Sequence, residues 1–358
     1  MSIPNDHPSH RLHESSYLRA CRRQEVNQVP VWFQRQAGRS LPEYRNVRGA
    51  GSILEAIENP SLAAEITLQP IRRYGVDAAI LFSDIVVPVN AIGFQVDIIP
   101  GIGPTVDQPF RDKTDLKRLR VLEPEVDTSY VLETVKILVD ELDVPLIGFA
   151  GAPFTIASYL IEGQPSRTHA RTKSLMQSES STWHDLMESL SDIAIASMRS
   201  QVLAGASAVQ LFDSWAGALS ADDYKNYVFP HSRRVFDELK DLGVPRAHFG
   251  VGTGELLTLM SDAGADVVGA DWRVPLDEVR RRVGPDTAVQ GNLDPAVCLA
   301  EWPVVERQAR KVLRASNGKP GHIFNLGHGV LPETDPAILE QLVELVHTEG
   351  LRTELSAQ

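Results

Sequence analysis

The sequence predicts a single (β/α)8 barrel with an excursion after its second strand. Three observations carry that prediction. Eight short apolar runs recur along the chain, most are separated by helix-length segments, and nearly all end in Gly, Asp, Ser or His, where a strand hands over to a loop. At 358 residues and 43% hydrophobic, the chain can bury a core large enough for such a barrel. A doubly wound sheet is the rival fold. The glycines at 250, 252 and 254 invite a dinucleotide-binding reading, but the third glycine of that fingerprint is out of step, and no early acidic-tipped βαβ unit accompanies them. A tight turn between strand and helix explains them.

Taken in order, residues 1–15 are polar, carry Pro4, Pro8 and three histidines, and lack the apolar core of a secretory signal. They read as a disordered tail ahead of one domain, 16–358. A short helix over 17–23 leads into the first strand, 29–33, with Pro30 near its start, where a missing amide is least costly. Helical spacing over 56–74 precedes the second strand, 76–84, which ends in Ser83 and Asp84. Residues 85–124 are rich in Gly and Pro, with short β-like runs such as 94–98, and form the excursion. A helix over 128–142 returns the chain to strand three, 145–149, closed by Gly151, Ala152 and Pro153. Helix 183–203 then precedes strand four, 208–215, and helix 224–242 precedes strand five, 246–252. Strands six to eight follow at 266–272, 287–294 and 322–329.

Charge narrows the function. The net charge of −12 argues against nucleic acid as a partner, which needs a basic footprint. Residues 1–50 nevertheless hold eight Arg, no Lys and four acidic residues, a basic zone suited to a compact anionic ligand. Cys21 and Cys298 are too few and too isolated for a disulfide framework or a Cys-rich zinc site, which fits a reducing cytoplasm. No run approaches the length of a membrane span, so no membrane partner is expected.

The residues that could carry chemistry begin at the end of the first strand. Arg35 and Arg39 follow it, with Gln36 and Gly38 between them, and a planar guanidinium grips a carboxylate through two parallel hydrogen bonds. Pairing with the protein's own acidic residues is the alternative. Asp84 can accept ligand N–H groups or stabilise developing positive charge, or it can cap a helix. Asp213 and Ser214 carry the same two readings. His328 lies in Asn325-Leu-Gly-His-Gly329, where flanking glycines leave the ring accessible. Tyr159 sits in a helix-like run, 154–161, where an aromatic side chain suits core as well as ligand. In a barrel the chemistry gathers at the C-terminal ends of the strands, so Arg35, Arg39, Asp84, Ser214, Asp271, Asp294 and His328 are expected at one mouth. The strand-end aspartates offer hard oxygen ligands, but no His-x-His or His-x-x-x-His pair accompanies them, and an organic-anion site ranks ahead of a metal site.

Six motifs in order resemble the uroporphyrinogen decarboxylase family of the haem pathway, over almost the whole chain. They are Arg35-Gln-Ala-Gly-Arg39 with Leu41-Pro-Glu-Tyr-Arg45, Phe82-Ser-Asp-Ile85, Gly148-Phe-Ala-Gly-Ala-Pro-Phe-Thr155, Phe212-Asp-Ser-Trp215, Gly291-Asn-Leu-Asp-Pro295 and Asn325-Leu-Gly-His-Gly329. The resemblance implies a cytoplasmic homodimer of single-domain (β/α)8 subunits that converts the four acetates of uroporphyrinogen III to methyls, giving coproporphyrinogen III without metal or organic cofactor. It implies that Arg35 and Arg39 bind substrate carboxylates, with Arg35 a candidate proton donor, and that Gln36, Ala37 and Gly38 line the site. Asp84 would accept the inward-pointing pyrrole N–H groups and stabilise the cationic intermediate. Tyr159, Ser214 and His328 match substrate-contacting positions. Gln34 departs from the family pattern, which usually has methionine there; strand alternation turns it away from residue 35, toward packing.

Two alternatives stand beside this reading. Zinc- and corrinoid-linked methyltransferases are similar in barrel but use a His-x-Cys pair and a later Cys, whereas strand five here reads His248-Phe-Gly250 and Cys298 follows strand seven. A non-catalytic tetrapyrrole-binding protein would keep the pocket without the reaction, and the presence of Asp84 argues against it.

Overall fold

Seven of the eight apolar runs form strands of one parallel sheet. A computed structural model describes residues 3, 4, 6–49, 51–99 and 101–351. In chain order the strands are β1 (Ala79–Ile80), β2 (Val96–Ile99), β3 (Gly103–Val106), β4 (Leu146–Gly151), β5 (Ala208–Phe212), β6 (Arg246–Phe249), β7 (Val267–Gly269), β8 (Ala288–Gln290) and β9 (His322–Ile323). The curled sheet runs β1-β4-β5-β6-β7-β8-β9, and each neighbouring pair is parallel. β2 and β3 pair only with each other, antiparallel, with Val96 opposite Val106.

The first run differs from its expectation. Residues 29–33 contribute one parallel bridge, Val31 to Phe324, rather than a strand. The reason is local. Pro30 has no amide to give, and the Val31 N–H goes to the Asp77 carboxylate at 2.7 Å instead of to a carbonyl. That carboxylate also accepts from Gln28 and contacts His347 Nε2 at 2.7 Å. The segment still touches both edges of the sheet: Phe324 N donates to Pro30 O (2.8 Å) on the β9 side, and Asp77 N donates to Val31 O (2.8 Å) just before β1.

Strand β1 is so short that β4 outruns it. Where β1 ends, the Phe149 N–H and carbonyl are met by the side chain of Gln201 at 2.8 and 2.9 Å. Gln201 belongs to the long helix Ser180–Leu203, whose buried face packs on the sheet. A buried amide here replaces a missing strand partner, which is why so polar a residue sits on the face that packs against the sheet.

The helices start where short polar side chains can hold the first free N–H groups. Asn59 caps Pro60–Tyr74, which closes on left-handed Gly75, and Ser52 and Glu55 form a capping box for Ile53–Ile57. Between β1 and β4 lie the helix Val87–Ala91, the β2–β3 hairpin and the 3-10 turn Lys113–Arg118. The hairpin is tied to the end of helix Pro153–Glu162 by Val106 N donating to Gly163 O at 2.8 Å.

Of the first fifteen residues, expected to lack order, residues 1, 2 and 5 lie outside the described ones. Pro8–His10 makes one 3-10 turn, the His7 ring reaches Leu203 O at 3.1 Å, and Arg11 reaches the Leu142 carbonyl. These contacts lay the segment across the ends of the helices Ser129–Glu141 and Ser180–Leu203. Among the described residues no helix is long and apolar enough to cross a membrane.

Candidate active site

The turn that carries Arg35 is anchored on both sides. Gln34 is buried, its N–H donates to Asn325 Oδ1 (3.1 Å), and its carbonyl accepts Val330 N–H (2.8 Å), which binds the turn to the loop after β9. Arg35 takes a left-handed φ of 58°, a conformation that costs a non-glycine residue roughly 1 kcal/mol or more and is held only by its surroundings. Its aliphatic stem lies on the bare Cα of Gly329. A Cβ there would stand 2.5 Å from Arg35 Cδ and 2.8 Å from Cγ. Gly38 also lies close to this turn, and a Cβ there would stand 3.1 Å from the Arg35 carbonyl, a tight contact.

Arg35 and Arg39 are both exposed, and among the described residues neither side chain forms an ion pair or hydrogen bond. Sequence left open whether they serve the protein's own acids; they do not. Gln36 is different. Its side chain is buried, Oε1 accepts Phe33 N–H (3.0 Å) and Nε2 donates to Ala78 O (3.1 Å), so it braces the turn against the segment just before β1. Ala37 and Gly38 are half-buried.

Asp84 is half-buried past the end of β1, with Oδ1 accepting Val86 N–H at 3.1 Å. It does not occupy the N-cap of helix Val87–Ala91, which is Val86. Burial pushes its pKa above the ordinary aspartate value, against the lowering influence of that N–H and of the Arg35 charge. Tyr159 shares this neighbourhood. Burial, then the Asp84 carboxylate, raises its phenol to about 12, and its ring meets Trp215 edge-on at 5.8 Å.

His328 sits on the other side of Arg35. Nδ1 accepts the Gly329 N–H at 2.6 Å, so the neutral ring carries its proton on Nε2 and offers it as a donor. Burial first, then the Arg35 charge, lower its pKa to about 4. The site thus brings a neutral donor, His328, and a carboxylate, Asp84, within charge reach of the same guanidinium.

The loop after β5 supplies the wall around Tyr159. Asp213 is fully buried and accepts from Thr155 Oγ1 at 2.9 Å, while the same Oγ1 accepts Trp215 N–H at 3.2 Å. Ser214 stands half-buried between these two anchored residues. Asp213 therefore acts as a brace. Asp271 and Asp294, also expected at the mouth, are engaged as well. Asp271 accepts from Gly252 N (2.6 Å) and Arg273 N (3.0 Å) and pairs with Arg273 Nη1. Asp294 caps the 3-10 turn Pro295–Leu299. Among the described residues no group of three or more His, Cys, Asp or Glu side chains is placed to hold a metal, and both cysteines are buried.

Sequence reasoning passed over Thr155, Trp215 and Arg273. Two of these lie inside quoted motifs, and Arg273 follows Asp271 by two residues, so a signal was present at each. What the sequence lacked was the cross-chain contact that gives each a task.

Residues 12–349 match the family model described as uroporphyrinogen decarboxylase (URO-D). The uroporphyrinogen decarboxylase of Thermobifida fusca is 61% identical over 339 residues, covering 94% of this chain and 94% of that protein. That of Streptomyces coelicolor is 59% identical over 350 residues, covering 98% of each. Among solved structures, a methyltransferase from Methanosarcina mazei superposes with a TM-score of 0.77 at 20% identity, over 95% of this chain and 98% of that one. At that identity the likeness shows the fold alone.

Proposed function

The chain belongs to the uroporphyrinogen decarboxylase family, and from that premise we propose that it is a carboxy-lyase of haem biosynthesis that converts the four acetate side chains of uroporphyrinogen III to methyls, yielding coproporphyrinogen III. The chemistry needs an electron sink, because an acetate that loses CO2 leaves its electron pair on a methylene carbon. Protonating the pyrrole at a ring carbon creates that sink within the substrate. The bond to CO2 then breaks, its pair neutralises the ring, a proton on the methylene completes the methyl, and the ring proton departs. On this account no cofactor is required.

Asp84 is the residue suited to the cationic step. A preorganised carboxylate facing the pyrrole N–H groups stabilises the positive charge more than it stabilises the neutral ground state. Arg35, within charge reach of both Asp84 and His328, binds a carboxylate and is the candidate proton donor. Arg39, the Gln36 to Gly38 segment, Tyr159, Ser214 and His328 complete the substrate-binding set, with Gln36 contributing through the turn it braces. The observation that carries the reading is the pair of guanidiniums at 35 and 39 without acidic partners among the described residues, Arg35 lying within charge reach of a carboxylate whose charged form is disfavoured by burial.

The finer architecture belongs to the same proposal. Backbone hydrogen bonds from residues 30–32 to Phe324 on one side and Asp77 on the other support closure into a (β/α)8 barrel, with residues 85–124 as an excursion, 16–358 as one domain and 1–15 ahead of it. Two such subunits in a cytoplasmic homodimer, with no nucleic-acid or membrane partner, complete the picture.

The test is to incubate the purified protein with uroporphyrinogen III, made anaerobically and kept dark, and to separate the oxidised porphyrins by carboxylate number, with and without a chelator. Stepwise loss of four carboxylates, unaffected by chelator, is expected. Tight binding with intact substrate would leave a tetrapyrrole-binding protein, and rescue by added zinc would leave a metal-dependent enzyme.

A further inference from the structure

The mouth holds a third arginine, on the loop after β7. The Arg273 guanidinium lies over the Trp272 ring, 4.4 Å from its centroid, and Nη1 donates to Asp271 Oδ2. Its side chain is 53% exposed, whereas that of Asp271 is 3% exposed. The aromatic face and the buried carboxylate fix the guanidinium from one side. Of its five N–H donors only one is engaged by Asp271 among the described residues, on a side chain that stays half-exposed.

The position of that platform is set by glycines. A Cβ on Gly327 would meet Trp272 N at 2.6 Å and Asp271 C at 3.1 Å, so this glycine lies directly on the β7 loop. A Cβ on Gly329 would meet the stem of Arg35. His328 lies between these two glycines, so the loop carrying Arg273 and the stem of Arg35 both come close to it, and both cations lower its pKa while Asp271 raises it.

We infer that Arg273 binds a side-chain carboxylate of the tetrapyrrole, at the loop after β7 beside His328, with Asp271 and Trp272 as its platform. The inference rests on the decarboxylase reading. A substrate with eight carboxylates presents anions around its whole rim, and one arginine pair on one wall cannot meet them all. A partner for Asp271 alone is a weaker explanation, because that carboxylate already accepts two backbone N–H groups, from Gly252 and Arg273. Those bonds persist when the side chain is changed.

The experiment compares Arg273→Met, which keeps an apolar stem over Trp272, and Arg273→Lys, which keeps the charge without the fork. In turnover of uroporphyrinogen III, KM of the Met variant is expected to rise about tenfold with kcat within about threefold, the range for a half-exposed charged hydrogen bond. The Lys variant should recover part of the loss, and the salt dependence of KM should be shallower in Met than in the wild type. Fluorescence titration with oxidised uroporphyrin and coproporphyrin, carrying eight and four carboxylates, reads binding without turnover. There the Met variant should lose about tenfold in affinity for uroporphyrin. KM and uroporphyrin affinity both within twofold of wild type would overturn the inference, as would a fall in kcat with KM unchanged. A wild-type protein that binds uroporphyrin without turnover would instead sink the decarboxylase reading, while the titration still decides on Arg273.

Discussion

Gly329→Ala tests how tightly the position of Arg35 governs catalysis. The glycine has an ordinary backbone conformation, so alanine meets no torsional penalty; it meets Arg35 instead, with Cδ at 2.5 Å, Cγ at 2.8 Å and Cβ at 3.2 Å from the new methyl. Ordinary van der Waals contact begins near 3.4 Å. The stem must therefore retreat by about 1 Å, and the exposed guanidinium moves with it. Fold stability should change little, because nothing buried is displaced. Catalysis should not be so tolerant, since a displacement of about 1 Å in a reacting or binding group costs about 100-fold, or roughly 2.7 kcal/mol of barrier. Turnover of anaerobic uroporphyrinogen III, read as porphyrins sorted by carboxylate number, measures kcat/KM, and thermal unfolding provides the control. A variant with kcat/KM within threefold of wild type would show that Arg35 is not a positioned group, and its proposed role as proton donor would fall.

Asp84→Asn keeps the shape and removes the charge, so turnover should fall about 100- to 1,000-fold. Because burial raises the Asp84 pKa, its ionised form burdens the folded state above the unfolded pKa, and the Asn variant should melt at or above the wild-type temperature at pH 8. A lower melting temperature would contradict the direction of that shift. Acid should weaken the fold through its histidines: burial holds His322 near 4, against an ordinary value of 6.5, so the stability it leaves intact above 6.5 is lost as pH falls toward 4. By linkage that single ring removes up to about 2 kcal/mol at pH 5. Urea midpoints at pH 7.5 and 5 measure it, and His322→Gln should flatten the difference. Gly217→Ala places a methyl against the Val251 carbonyl and the Gly252 backbone, where the loops after β5 and β6 meet. A cost of about 1–3 kcal/mol in unfolding free energy is expected, and an unchanged melting temperature would mean that these loops are not in rigid contact.

The alternation of short apolar runs with amphipathic segments is a local property, and it led directly to β1 and to β4 through β9. The polar residues that close those runs were equally visible, because a strand end must present side chains able to leave the sheet for a loop. Hence Asp84, His328 and the arginines of residues 35–39 could be named from their spacing, and the motif order pointed to the family. The same signal treated all strand-end aspartates alike. Asp84 accepts the Val86 N–H, Asp213 accepts from Thr155, Asp271 from Gly252 and Arg273, and Asp294 caps a turn.

What separated them was contact between distant segments. Nothing in the sequence showed that the two amide ends of Gln36 would meet Phe33 N and Ala78 O. The first run read as a strand until the Asp77 carboxylate, 46 residues on, took the Val31 N–H. Local periodicity specifies which face a side chain presents, so seven of the strands and the chemical class of the residues that close them were legible in the chain. Which donor meets which acceptor depends on how elements far apart in the chain close on one another. Only the tertiary structure shows that, among the described residues, the side chains of Arg35 and Arg39 meet no acidic partner, whereas Arg273 pairs with Asp271.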